Sequence, residues 1–235
     1  MASTELVTRL LRHIGAISTY EVLDQALRLM IERMDFSIAP RVIGFCGSAG
    51  AGKDTASYIL ALLGYQKIAF ADALKIEVYD QCINPEPAYK ERVAAELGIV
   101  LPLPLDATNH DYEKIEIINR RKVELRRLLQ WHGTEYRRAE NENYWIDRVR
   151  EKIQTGRWVI SDVRFQNEIA MVREEKGALW VIVGRDDGYT PTHASETNWR
   201  DGSFDLTFDN SGDITDLQRR LFSALFSLAA KSEGV

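Results

Sequence analysis

Apolar residues fall into two rhythms that alternate along this chain. Short, largely apolar runs occur at 41–46, 65–70, 158–162, 179–183 and 204–208. Runs of that length and density read as strands buried on both faces, as in a parallel sheet. Between them, apolar positions recur every three or four residues, which predicts helices. Two amphipathic helices are predicted at 4–16 and 19–34, the second opened by Ser18 and Glu21 at capping-box spacing. Further helices are predicted at 56–63, from 71, near 88–97, at 112–131, 143–154, 166–176 and 213–230. The last carries Leu217, Leu221, Leu225 and Leu228 on one stripe. Strands alternating with helices predict an α/β fold, a parallel sheet covered by helices on both faces.

At 235 residues the chain suits one such domain with a helical insertion. The organisation expected is an N-terminal helical extension over 1–40, then a nucleotide-handling domain over 41–235. The insertion would occupy about 72–155, and a polar loop at about 185–203 would serve as a lid or as a solvated connector. The extension would cover the sheet edge or form a homodimer face. A formal charge of −5 supplies no basic field for a nucleic acid backbone. No apolar run is long enough to span a bilayer, so neither membrane nor nucleic acid is an expected partner. Cys46 and Cys82 make no disulfide framework, and a reducing cytoplasm is the expected setting.

Chemistry enters at Gly47-Ser48-Ala49-Gly50-Ala51-Gly52-Lys53-Asp54-Thr55, which follows the first strand and opens a helix. Glycine-rich turns in that setting let backbone N–H groups wrap a phosphate, and the helix N-terminus adds partial positive charge. Lys53 would place its ammonium between the outer phosphates of ATP. The expected pattern has Ser or Thr directly after the lysine; here Asp54 stands there and Thr55 follows. Magnesium would then be held by Thr55 directly or by Asp54 through water. The Gly-Lys-x-Thr arrangement resembles adenylate-kinase-like nucleoside monophosphate kinases.

Ligands of parallel α/β sheets bind beyond the carboxyl ends of the strands. Asp162 and Arg164 lie at such an end, where a carboxylate can sit near magnesium and a guanidinium can grip phosphate. Arg164 and Glu168, four apart, have the spacing of a helical ion pair. The alternative is that Asp162 merely caps the next helix and the pair lies on the surface. Arg120-Arg121-Lys122 and Arg126-Arg127 read as a solvated helix face. Arg185 and Arg200 flank the polar loop as lid cations, and His193 within it reads as structural.

Five blocks now occur in a fixed order: the phosphate loop, Phe70-Ala71-Asp72-Ala73-Leu74-Lys75, 129–138 (LQWHGTEYRR), 162–168 (DVRFQNE) and His193-Ala194-Ser195-Glu196. Together with Asp209-Asn210-Ser211-Gly212-Asp213, the series resembles the bacteriophage deoxynucleoside monophosphate kinases over about 41–225. The resemblance implies a P-loop fold, a host-cytoplasmic location and magnesium-dependent phosphoryl transfer from ATP to a deoxynucleoside monophosphate. It implies catalytic roles for Lys53, Asp162 and Arg164, and acceptor binding by Asp72, Lys75, Arg138, Arg164 and Glu168. Trp145 and Trp131 compete as the platform for the base. Rival readings are another small-molecule P-loop kinase, acting on dephospho-coenzyme A or phosphomevalonate, and a non-catalytic ATP-binding module.

Overall fold

Every residue of Val42–Cys46 is buried, which a strand achieves only when both of its faces are covered. The computed structural model describes residues 39–184 and 198–231. The predicted helices at 4–16 and 19–34, Arg185 and His193 lie outside the described residues. Strands β1 (Val42–Cys46), β2 (Gln66–Ile68), β3 (Trp158–Ile160), β4 (Ala178–Val183) and β5 (Leu206–Asp209) form one sheet, ordered β2-β3-β1-β4-β5. All pairings are parallel, with Ile43 opposite Val159 on one side and Ala178 on the other. The helices are α1 (Lys53–Leu62), α2 (Phe70–Ile83), α3 (Pro87–Leu97), α4 (Asp111–Arg120), α5 (Lys122–Gln130), α6 (Tyr144–Lys152), α7 (Gln166–Glu174) and α8 (Ile214–Lys231). A π-helical segment, Trp131–Arg138, continues α5, and Asn198–Asp201 forms a 3₁₀ turn.

Strand side chains alternate between faces, and two cores result. Ile43, Phe45, Trp180 and Phe208 pack with Ile59 and Leu60 of α1 and Leu217 and Leu221 of α8. Val42, Cys46, Leu179 and Val181 pack with Ile146 and Val149 of α6 and Ile169 and Val172 of α7. The helices that follow β1 and β3 therefore cover opposite faces, although these strands are neighbours. Their outgoing loops part at the carboxyl ends, and this is where an open α/β sheet makes its ligand crevice.

The chain between β2 and β3 builds a third core from Val78, Tyr79, Tyr89, Val93, Ile118, Leu125, Leu128 and Trp131. One straight helix was the expectation for 112–131. The structure breaks it at Arg121, whose φ −104° and ψ 15° leave the helical region. No Gly or Pro marks that break. Packing sets it, since α4 and α5 both lie against α2. Arg121 is held at the elbow by Glu124 and by donating to the Pro104 carbonyl at 3.2 Å. Phe70, expected to close the second strand, instead begins α2.

Candidate functional site

The phosphate loop is held in shape by its backbone. Gly47 has φ 136°, and a Cβ there would lie 2.3 Å from the Ile182 carbonyl oxygen, so no other residue fits. Gly52, at φ 102°, precedes α1, and a Cβ there would lie 2.3 Å from Asn210 Nδ2. That Asn210 amide donates to the Ala51 carbonyl at 2.9 Å, so the turn after β5 braces the loop. Lys53 Nζ donates to the Gly47 and Ser48 carbonyls at 2.8 and 2.7 Å. Burial, then the nearby positive charge of Arg164, lowers the Lys53 pKa to about 8 against the pull of Asp162 and Asp54. A cation held under that pressure is relieved when an anion arrives.

Facing the loop across a cleft of about 240 Å³ is a wall of side chains from α2, α5, the π-helical segment, α6 and α7. Asp162 stands at its base, just past β3. Its two carboxylate oxygens accept the Phe70 and Ala71 amides at 2.8 and 2.9 Å, fixing the start of α2 to the end of β3. It thus caps a helix, but that of α2 rather than the one that follows it in sequence. Arg164 lines the cleft two residues on. Glu168 does not pair with the Arg164 side chain as its spacing suggested. It accepts the Arg164 and Phe165 amides at 2.6 and 3.0 Å and forms an ion pair with Arg138 of the π-helical segment. The cause is local, because Glu168 sits in the first turn of α7, where free amides compete for its carboxylate. Burial pushes Glu168 up to about 7, against Arg138 and the two amides. Arg138 also stacks 4.0 Å above the Phe165 ring.

The structure gathers Lys53, Asp54, Lys75, Arg138, Trp145, Asp162, Arg164 and Glu168 around this one cleft, together with Ala49 and Gly50 of the loop. Trp145 is buried there, its indole N–H donating to the Gly133 carbonyl at 3.0 Å. Trp131 is not brought in. Its ring stacks on Tyr136 with centroids 5.2 Å apart, inside the helical core. Asp72 lies outside the lining, accepting the Ala69 amide at 2.9 Å and pairing with Lys75 at 3.5 Å. Gly47, Ser48, Ala51, Gly52 and Thr55 support the loop and the first turn of α1 without lining the cleft. Asp54 is exposed and receives Lys67 Nζ at 2.7 Å. Among the described residues, no three His, Cys, Asp or Glu side chains gather as metal ligands. Arg200 sits on the exposed 3₁₀ turn, 5.9 Å from the Trp199 ring, outside the cleft lining.

Sequence reasoning missed Lys122, Arg126, Gln130 and Thr134, which line the wall. The two cations are solvated as expected, but they are exposed into the cleft. Partial burial, with Lys75 and Arg164 close by, lowers the Lys122 pKa. Spacing carried the signal, since 122, 126, 130 and 134 fall four apart and make one stripe of a continuous helix. Among the described residues that line the cleft, six cations, Lys53, Lys75, Lys122, Arg126, Arg138 and Arg164, stand beside three acids, Asp54, Asp162 and Glu168. That excess suits a ligand with several negative charges.

No protein-family model matches the chain. A protein of Acanthamoeba polyphaga mimivirus described as "Putative deoxynucleotide monophosphate kinase" is 28% identical over 203 residues, covering 78% of this chain and 95% of that protein. Among solved structures, a gluconokinase from Sinorhizobium meliloti 1021 aligns with a TM-score of 0.41 at 16% identity, over 83% of this chain and 96% of that one. Likeness at that level leaves the fold to be read from the strand order and the phosphate loop. Among the described residues, no helix is long and apolar enough to cross a membrane.

Proposed function

We propose that this protein transfers the γ-phosphoryl group of ATP to a deoxynucleoside monophosphate, yielding ADP and the deoxynucleoside diphosphate. The observation that carries the reading is a phosphate loop and a multi-cationic wall sharing one cleft. A hydrolase or a nucleotide sensor needs the first; a second anionic substrate requires the second as well. The mimivirus relative supports the choice of acceptor, and the ordered sequence blocks agree with it.

In this reading the loop amides and Lys53 seat the β- and γ-phosphates of ATP. Arg138, Arg164, Lys122 and Arg126 hold the acceptor's phosphate in line with the γ-phosphorus. An acceptor phosphate oxygen attacks that phosphorus as the bond to the β-bridging oxygen breaks, and ADP carries away the electron pair. The nucleophile is already ionised at neutral pH, because the second pKa of a phosphomonoester is about 6. No general base is required, so Asp162 is free to position α2. The chemistry is alignment and charge neutralisation. Magnesium, entering with the nucleotide, would supply further charge neutralisation, with Asp54 on the cleft lining to receive it and Thr55 one residue behind in the first turn of α1. One or two protein ligands suffice for that ion, because phosphate oxygens and water complete its shell. Trp145, with Phe165 and Gln130, would bound the acceptor's base.

The test is ADP release by purified protein with ATP and magnesium across all deoxy- and ribonucleoside monophosphates, dephospho-coenzyme A and phosphomevalonate. Turnover is expected with one or more deoxynucleoside monophosphates. Turnover confined to either of the last two compounds would move the assignment to another P-loop kinase. ATP binding with no transfer to any acceptor would make the protein a nucleotide-binding module.

A further inference from the structure

Behind the acceptor wall, outside the cleft lining, the Glu77 carboxylate collects donors from two segments beyond its own helix. Glu77 Oε2 accepts Arg137 Nε at 2.9 Å and His132 Nε2 at 3.3 Å, both from the π-helical segment. Its Oε1 accepts the Tyr144 hydroxyl at 2.6 Å and Arg148 Nε and Nη2 at 3.1 and 3.0 Å, all from α6. Arg137 and Arg148 also stack on the Tyr144 ring, 4.9 and 4.1 Å from its centroid. His132 is fully buried, and its Nδ1 lies 2.7 Å from the Tyr89 hydroxyl. Burial lowers its pKa, which assigns a neutral ring donating Nε2–H to Glu77 and accepting from Tyr89 at Nδ1.

The chain neighbours of these partners are the wall itself. His132 is followed by Gly133 and Thr134, Arg137 by Arg138, and Tyr144 by Trp145, and all four followers line the cleft. Leu74 and Lys75, on the turn of α2 before Glu77, line it too. The Trp145 indole donates to the Gly133 carbonyl, closing the link between the π-helical segment and α6 on the cleft side. Extended π-helices are rare and need tertiary support, because their backbone geometry is poorer than that of an α-helix. A carboxylate taking donors on both oxygens supplies directional support that apolar packing cannot. Burial alone would raise the Glu77 pKa, but His132, Tyr144, Arg137 and Arg148 outweigh it and hold it at about 2, so the clasp is ionised at any working pH.

We infer that Glu77 is a positioning residue for acceptor recognition, clasping the π-helical segment and α6 so that Thr134, Arg138 and Trp145 meet the acceptor in one fixed arrangement. The inference rests on the acceptor-kinase reading for its kinetic consequence, though not for its structural one. Glu77 touches no substrate, and it leaves the phosphate loop alone.

The experiment compares wild type, Glu77→Ala and Tyr144→Phe, using amide hydrogen exchange without nucleotide and steady-state kinetics with ATP and each accepted monophosphate. In Glu77→Ala, exchange over 132–148 is expected to accelerate while 47–55 keep wild-type protection. KM for the acceptor should rise about tenfold or more, because small misplacements of positioning groups are costly, with KM for ATP within about twofold. Tyr144→Phe removes one donor and should show the same split at roughly threefold, which covers the case in which Glu77→Ala does not fold. Equal acceleration in both segments, or an equal rise in both KM values, would overturn the inference by reducing Glu77 to a general stabiliser. A wild type that phosphorylates no monophosphate would instead defeat the proposed function, and the exchange contrast would still decide the clasp.

Discussion

In the proposed function the loop between β1 and α1 meets ATP with main-chain amides and a single lysine, whereas the wall opposite is assembled from side chains on five helical segments and the turn after β3. The first is local. Nine consecutive residues, Gly47 to Thr55, contain all of it, and its shape follows from glycines at positive φ with support from Ile182 and Asn210. The second is dispersed, with Lys75, Lys122, Arg126, Arg138 and Arg164 spread over 90 positions and brought together only by folding. A main-chain site tolerates no change in backbone but is indifferent to most side chains. A side-chain site fails one contact at a time. Substitutions should therefore behave differently on the two sides.

The largest effect belongs to the loop. Lys53→Ala should lower turnover by on the order of 10³-fold, because it removes a preorganised charge aimed at the transferring group. The fold should survive. The Lys53 pKa is lowered to about 8, below its unfolded value, so keeping it charged at neutral pH costs folding free energy rather than supplying it. Near-wild-type turnover in folded Lys53→Ala protein would break the assignment of the loop. On the wall, Arg126→Ala should raise KM for the acceptor by roughly 10- to 100-fold, about the loss of one charge-assisted contact, and leave KM for ATP within about twofold. An equal rise in both would erase the functional boundary between the two sides.

Trp131 and Trp145 sharpen the same boundary. Trp131→Ala should cost about 3–5 kcal/mol of stability, as a buried aromatic packed on Tyr136 and Tyr89. Wild-type KM values should persist in whatever fraction stays folded at low temperature. Trp145→Phe keeps part of the buried ring and leaves the Gly133 carbonyl unpaired, so acceptor KM should rise several-fold with a smaller stability loss of about 1–3 kcal/mol. Thermal denaturation beside acceptor titration separates the two, and an acceptor defect in Trp131→Ala would return that residue to the site.

How much of this was legible in sequence follows the same division. The phosphate loop, the five strand runs and the parallel α/β class depend on nearby residues, and local pattern suffices to find them. Asp162 and Arg164 were legible because strand ends are where such sheets bind ligands. The Glu168 partner was not. Arg138 lies 30 residues away, and spacing favoured the nearer Arg164, whose amide rather than guanidinium proved to be the contact. Lys122 and Arg126 were hidden for another reason. A cleft-lining stripe and a solvated stripe carry the same residues, and only the fold of α2 and α5 around the cleft distinguishes them. The break at Arg121 has no Gly or Pro to mark it, and Gly133 alone does not mark the π-helical segment around it.

The smallest predicted effect tests whether the two sides of the cleft sense each other. The Lys53 pKa is lowered to about 8 first by burial and next by the positive charge of Arg164 on the opposite wall. The ammonium form binds phosphate, so kcat/KM for ATP, which reports the free enzyme, should be flat below about pH 8 and fall up to tenfold per unit above it. Arg164→Ala removes a like charge, so the Lys53 pKa should rise and the descending limb should move to higher pH. The limb should not reach the ordinary lysine range, because burial is the larger cause and remains. Arg126→Ala, whose charge is not among the causes of the Lys53 shift, should leave the limb in place. A limb that moves equally in both variants would mean that Lys53 responds to the summed charge of the wall. A limb fixed in both would confine its titration to burial within the loop.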